Sequence, residues 1–417
     1  MDNSAVILII PSASYRTSAF INAVEKLDLK VLVISDKSQV FSGKYPNNLL
    51  IMNFHHWKDR LDEISEWSER NGLKAVIGVD EESIVLAANL SKYLKVEHNP
   101  VESVLLTKDK YLMRIELKKA GVNSPWFKRF SIHDSPNKII NEISFPCVIK
   151  PTFLSASRGV IRVNTIKELA NGIKTINELL SLEEIRERGG EKSDWILVEE
   201  YIPGKEVAIE GIVSEGKLKV LAVFDKPEPL EGPTFEETII VTPTALSEKN
   251  QFSLFETAQN AVKALGIVKG PVHVEVRINS SGNYILECAS RSIGGLCSKV
   301  LEFQGGMSLE ELILRSYLGR NVEKSKLTGF ARGVMMMPTE KIGILKEIGG
   351  VEDALVVNGV TDLQITVKPG EKLQPLPKGD RYLGFIFAEG NDQKFVIKAL
   401  KNAWSKIEVV LENDLSK

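Results

Sequence analysis

Short unbroken apolar runs alternate with amphipathic stretches over the first hundred residues. Ala5–Ile10 (AVILII) stops at Pro11, and Thr17–Leu27 follows with Phe20, Ile21, Val24 and Leu27 at helical spacing. Lys30–Ser35, Asn48–Met52 and Lys74–Val79 are further apolar runs, separated by amphipathic stretches at Trp57–Arg70 and Glu81–Leu94. Strands apolar on both faces and separated by helices predict a parallel α/β layer. No GxGxxG follows the first run, so a Rossmann-like scaffold without a dinucleotide fingerprint is expected. Ser12–Arg16 falls at the carboxyl end of the first strand, where open sheets bind ligands, yet it reads as a plain polar loop.

Near residue 105 the rhythm changes. Asp109–Ala120 reads as a charged amphipathic helix stopped by Gly121. Ser144–Lys150 and Gly159–Val163 read as strands around a small polar loop. Ile166–Ile185 reads as a helix, and Arg186–Ser193 as an exposed loop. Trp195–Glu200, Glu206–Val213 and Lys217–Phe224 are strand-like, the last two antiparallel. Gln251–Leu265 is helical, and Pro271–Asn279 with Asn283–Cys288 forms a hairpin around Ser280-Ser281-Gly282. After helix Ser308–Leu318, residues 330–417 predict a smaller α+β unit. Its strands are expected near Ala331–Met337, Val360–Val367 and Arg381–Ala388, followed by helix Asp392–Trp404 and a last strand.

Bulk properties narrow the function classes without naming one. The 417 residues carry 53 basic and 55 acidic side chains, net charge −2, which gives no electrostatic footprint for nucleic acid. No apolar run approaches the roughly 20 residues that span a bilayer. MDNSAVILIIPSAS lacks a basic leader and reads as a first strand rather than a signal peptide. Cys147, Cys288 and Cys297 are scattered among apolar neighbours, which suits buried free thiols in a reducing cytoplasm.

Three stretches can carry chemistry. In the first, Lys150 ends an apolar strand and the small-residue loop Ser155–Gly159 follows, including Ser157. A strand lysine can sit against polyphosphate while such a loop offers backbone N–H groups; taken alone, a snorkelling lysine before an ordinary turn fits slightly better. No GxxxxGK[ST] occurs. In the second, the apolar run Ile196–Val198 leads to Glu199, Glu200, Tyr201 and Ile202, then Pro203-Gly204 and Glu206. These supply an acceptor for an adenine amino group, backbone partners, and a carboxylate for ribose hydroxyls; alone, the pattern also fits solvated acids before a turn.

The third stretch is the most informative. His273, Glu275 and Arg277 share one face of a strand whose valines occupy the other. The next strand ends in Glu287, followed by Arg291 and Gly294-Gly295. Two carboxylates on paired strands, without His or Cys in metal spacing, suit magnesium held partly by substrate phosphates, with manganese an acceptable substitute. Arg291 can stabilise charge on a transferred phosphoryl group. A cross-strand charge ladder is the bland alternative, but Ile-Leu-Glu-Cys-Ala is too apolar a setting for an idle Glu287. In the loop Phe224–Pro243, Lys226, Glu231, Glu236 and Glu237 cluster between prolines and glycines. Glu236 or Glu237 can receive an α-ammonium and Arg291 a carboxylate; a solvated acidic loop fits as well.

Taken in order, these stretches resemble the ATP-grasp superfamily across roughly residues 105–300. The resemblance rests on Asp109-Lys110 with Met113-Arg114, Lys150, Ser155–Gly159, Glu199–Ile202, Glu206, Glu275, Glu287 and Arg291. It implies an α/β and α+β ATP-grasp fold. A Rossmann-like (pre-ATP-grasp) domain would span 1–104 and an ATP-grasp domain 105–320, with a lid at about 145–203. A C-terminal α+β unit over 321–417 would complete or flank it. By the same resemblance, Lys110 or Arg114 and Lys150 touch the phosphates of ATP. Glu199 with the backbone of Tyr201 and Ile202 holds adenine, Glu206 holds ribose, and Glu275 and Glu287 hold magnesium. One departure is informative: Ala289 stands where most members place Asn, a further metal ligand.

The E-x-A-x-R form is similar to the branch of L-amino-acid ligases, as are Gly232–Thr238 and the stretch from Gly333 through Gly384. That branch implies an ATP-dependent carboxylate–amine ligase working through an acyl phosphate. His273 would lie near the reacting centre with Arg291 and Lys150, and the partners would be a small carboxylate and an amine. A homodimer is compatible with it. The competing readings are a carboxylase of the biotin-carboxylase or purine-pathway type, and a nucleotide-binding module without catalysis.

Overall fold

The computed structural model describes residues 4–38, 48–322 and 325–412. Its first layer is a parallel sheet in the order Leu49–Ile51, Lys30–Ser35, Ala5–Ile9, Leu73–Gly78. Every residue of Ala5–Ile9 is buried, so the continuous apolar run is a strand covered on both faces. Helix Thr17–Lys26 buries Phe20, Ile21 and Val24 on this sheet, as the spacing predicts. The carboxyl ends of the strands deliver Pro11–Arg16 and Asp80–Glu82 to the rest of the molecule.

The second layer is an antiparallel sheet in the order Phe127–Ser131, Trp195–Glu200, Cys147–Pro151, Ile161–Val163. Helix Ile166–Leu180 packs on it through Leu169, Ile173, Ile176 and Leu180. The polar segment Arg186–Ser193, expected as an exposed loop, is instead helix Glu183–Gly189 followed by the 3₁₀ turn Gly190–Asp194. One buried apolar residue, Ile185, and the close packing of Gly189 on Phe153 anchor it. Composition alone hides so sparse an anchor.

An eight-stranded sheet forms the third layer, in the order Gly282–Ala289, Lys269–Asn279, Lys205–Ser214, Lys217–Asp225, Ile239–Thr242, Ala331–Met337, Gly384–Gly390, Val360–Ile365. Three C-terminal strands, Ala331–Met337, Gly384–Gly390 and Val360–Ile365, therefore extend the sheet that holds Glu275 and Glu287, while Lys372–Leu373, Gly343–Gly349 and Glu408–Glu412 form a separate three-stranded sheet. At the junction Gly333 pairs with Val241, and a Cβ there would come within 2.8 Å of Val241 and Val396 methyls. On the strand Lys269–Asn279, Val272, Val274 and Val276 enter the core beneath helix Glu248–Ala264. The alternate positions His273, Glu275 and Arg277 face the opposite side. Among the described residues no helix is long and apolar enough to cross a membrane.

Candidate active site

The three layers enclose a cavity of about 450 Å³, within the range of small-molecule and cofactor sites. The lid sheet contributes Lys150 from strand Cys147–Pro151. Lys150 Nζ is paired with the Glu199 carboxylate, whose other oxygen lies 2.7 Å from Arg114 Nε. Burial lowers the Lys150 pKa despite Glu199, while Arg114 and Lys150 hold Glu199 below its ordinary value against burial. Lys110 sits in the first turn of helix Lys110–Lys119, capped by Asp109. Its ammonium donates to the Leu154 carbonyl at 2.8 Å and lies 3.4 Å from Glu287.

The small-residue loop carries local backbone strain. Ala156 and Ser157 adopt φ of 55° and 54°, a region that costs non-glycine residues on the order of 1–3 kcal/mol each. Ser155, Ala156 and Ser157 all line the cavity. Such outliers persist where surrounding contacts over-determine them, and the neighbouring contacts are evident. Gly159 N–H donates to the Pro377 carbonyl at 2.8 Å, and Arg158 Nε to the Lys378 carbonyl at 3.0 Å. The loop is thereby fastened to the C-terminal segment.

On the opposite wall, Glu275 and Glu287 are direct register partners on adjacent antiparallel strands. Their side chains are 23% and 20% exposed, so each keeps access to the cavity. Among the described residues no group of three or more His, Cys, Asp or Glu side chains forms a ready cage. Two hard carboxylates opening into a phosphate-sized cavity fit a divalent cation that completes its shell with phosphate oxygens and water.

Lys226 organises the acids around this pair. Its ammonium lies 2.7 Å from Glu206, 2.9 Å from Glu275 and 3.3 Å from Glu237. Burial opposes its charge, but the three carboxylates outweigh it and hold the lysine well above its ordinary pKa. Glu275 is held well below the carboxylate range by Lys226 and His273 despite burial. Glu237 is pushed up, by burial first and then by Glu275 and Glu206. Glu206 also accepts from Arg277 Nε at 2.7 Å. A carboxylate has about four lone-pair sites, so a ribose hydroxyl can still be accepted.

His273 and the fully buried Glu210 are register partners, and His273 Nδ1 bonds Glu210 Oε1 at 2.5 Å. Burial lowers the imidazole's pKa, but Glu210 more than compensates, raising it from 6.5 to about 9. A raised histidine pKa stabilises the fold fully below the unfolded value, and that contribution is lost as pH climbs through the folded one. The stability difference between the native chain and Glu210→Gln is therefore expected to be largest below pH 6.5 and to shrink as pH passes about 9. Thermal melts of both proteins across that range check it.

Most of the residues anticipated from sequence converge here. Lys110, Lys150, Ser155, Ser157, Glu199, Glu200, Tyr201, Ile202, Glu206, Glu237, His273, Glu275, Glu287, Arg291, Gly294 and Gly295 line one cavity. Three others do not line it. Arg114 lies one helical turn behind Lys110, wholly buried, donating to the Leu286 carbonyl and pairing with Glu199. Gly159 spends its N–H on Pro377, and a Cβ there would meet Pro151 at 2.8 Å, so it serves the turn. Glu236 is turned towards Thr339 and Glu340. Glu199 lines the cavity but is already engaged by two cations, Arg114 and Lys150.

Other site residues are not evident in the sequence. Glu81 pairs with Arg291 at 2.8 Å and Arg16 with Glu310 at 2.7 Å, the latter pair fully buried. Ser12–Arg16, expected as a plain polar loop, places Ser14, Tyr15 and Arg16 in the cavity wall. The only hint was its position at a strand's carboxyl end.

Comparison with known proteins agrees with this geometry. Residues 143–300 match the ATP-grasp domain family, and residues 335–412 match the L-amino acid ligase C-terminal domain 2. An alanine–anticapsin ligase of Bacillus subtilis (strain 168) is 26% identical over 327 residues, covering 73% of this chain and 67% of the relative. An L-arginine-specific L-amino acid ligase of Bacillus subtilis is 20% identical, covering 76% and 78%. In fold, the crystal structure of an L-amino acid ligase from Bacillus licheniformis superimposes with a TM-score of 0.81 at 22% identity. That superposition covers 99% of this chain and 100% of the other. With both of these domains in order along one polypeptide, the chain is similar to the L-amino acid ligases in domain content as well as in fold.

Proposed function

We propose that this cavity binds ATP and joins a small carboxylate, an amino acid by preference, to an amine through an acyl phosphate, releasing ADP and phosphate. The observation that carries the reading is the in-register Glu275/Glu287 pair facing Lys150, Lys110 and Arg291 across one cavity. Adenine fits between the apolar Val148, Ile202 and Leu286, with backbone groups of Tyr201 and Ile202 for its edge and Glu206 for the ribose. Lys150 and the Ser155–Ser157 loop take the phosphates. Glu275 and Glu287 would hold a divalent cation, which would supply charge neutralisation on the phosphate oxygens.

A carboxylate oxygen attacks the γ-phosphorus in line and ADP leaves. The amine nitrogen then attacks the carbonyl carbon and phosphate leaves. The protein's part is chiefly positioning and electrostatic stabilisation. Arg291 faces the developing oxyanion, and Glu237, rather than Glu236, receives an α-ammonium because it alone of the two lines the cavity. Three buried thiols suit work in a reducing compartment such as the cytoplasm.

Labelling the carboxylate substrate with ¹⁸O tests the intermediate. One ¹⁸O per turnover should appear in the released phosphate; phosphate free of label contradicts the acyl phosphate. Glu81 should act by aiming Arg291: Glu81→Gln is expected to lower kcat on the order of tenfold to hundredfold, leaving KM for ATP unchanged. Steady-state kinetics with ATP as the varied substrate read both quantities.

A further inference from the structure

We propose that one amino acid substrate of this enzyme carries an apolar side chain, seated on a wall formed by Tyr15, Ile293, Met336, Tyr382 and Phe385. The inference rests on the ligase reading and adds the substrate's class to it. Tyr15 comes from the loop after the first strand of the parallel sheet, and Met336, Tyr382 and Phe385 come from the C-terminal strands or the turn before them. Met336 and Phe385 are register partners on adjacent strands. Both belong, with Ile293, to the core packed beneath the parallel sheet, and Tyr382 packs against that core. The cavity thus cuts into a hydrophobic core and leaves its edge as a surface. Tyr15, 41% exposed, closes the edge with its ring 5.8 Å from that of Phe385 at 71°.

Several charged groups around the wall are already paired. Arg16 is held by Glu310, Arg291 by Glu81, and Arg381 by Glu371 at 3.0 Å. The rim carboxylates Glu82 and Asp380 face Arg188 at 3.1 Å and Arg158 at 3.5 Å. Burial and the nearby Glu237 push the Tyr382 phenol well above its ordinary pKa, so the wall stays neutral there. A charged substrate side chain would have to break one of these pairs or sit unpaired on apolar atoms. An apolar one gains by leaving water. Space is available too, since a Cβ at the cavity-lining Gly294 would meet no atom within 4 Å.

The test is calorimetric binding of single L-amino acids to the full chain with a non-hydrolysable ATP analogue and Mg²⁺, paired with ADP release during turnover. Leucine, methionine and phenylalanine are expected to bind at least about tenfold more tightly than serine, aspartate or lysine. Tyr15→Asp, on an exposed loop, should weaken leucine binding by about the same factor without altering analogue binding. Equal affinity for leucine and aspartate or lysine, or unchanged leucine binding in Tyr15→Asp, overturns the proposal. Turnover with polar or charged amino acids only would sink the apolar class while leaving the ligase reading standing. Failure of every amino acid to bind or to stimulate ADP release would remove both.

Discussion

Glu287→Ala is expected to abolish ADP formation while leaving the protein folded. Glu287 ends an apolar strand, faces Glu275 in register and keeps access to the cavity. Its cationic neighbour in the structure is Lys110 at 3.4 Å. Lys110 also donates to the Leu154 carbonyl, so it keeps one hydrogen-bond partner when Glu287 is truncated. Under the proposed function, what is lost is one of two hard ligands that would hold a cation against the phosphates. Removing a single preorganised electrostatic contact of this kind costs on the order of 10²–10³ in rate, and loss of a metal ligand adds weaker metal binding. Coupled-assay ADP release, with circular dichroism as the folding control, reads the outcome. Near-normal turnover would contradict the metal assignment.

Glu199→Ala is expected to act on stability more than on nucleotide affinity. The carboxylate is 2% exposed and is shared by Arg114 and Lys150, themselves 0% and 9% exposed. Deleting it leaves two cations buried together, with their mutual repulsion uncompensated. Breaking a buried pair in this way typically costs roughly 3–5 kcal/mol. Urea denaturation should show a loss of that size, and Glu199→Gln should recover part of it by keeping hydrogen-bond acceptors in place. A variant of unchanged stability with only a raised KM for ATP would show that Glu199 serves the nucleotide alone.

Legibility of the site in the sequence followed the range of the interaction. The alternation in Val272–Ile278 puts His273, Glu275 and Arg277 on one face because strand geometry has period two. Glu287 declared itself through its apolar neighbours. Lys110 and Arg114 share a motif, yet helix phase and the Asp109 cap give Lys110 the cavity and send Arg114 beneath Glu199. Gly159 belongs to the loop's turn rather than its cavity-lining edge because Pro377, more than two hundred residues on, takes its N–H. The central role of Lys226 depends on Glu206 and Glu275 from two other strands as well as on Glu237 of its own loop. Glu81 and Arg16 find partners 210 and 294 positions away, pairings that no local pattern encodes. The fold was more accessible, since apolar runs and helical spacing are local. The shared eight-stranded sheet was not, because strand order depends on which edges meet.

On the proposed function, this cavity activates a carboxylate with ATP for transfer to an amine. The direct measurement is ADP release from ATP and Mg²⁺ against single and paired L-amino acids, with bicarbonate as a separate arm and mass spectrometry of the products. Release that requires amino acids, accompanied by a dipeptide in equal amount, is the predicted result. Release that responds to bicarbonate but to no amino acid or amine would contradict it.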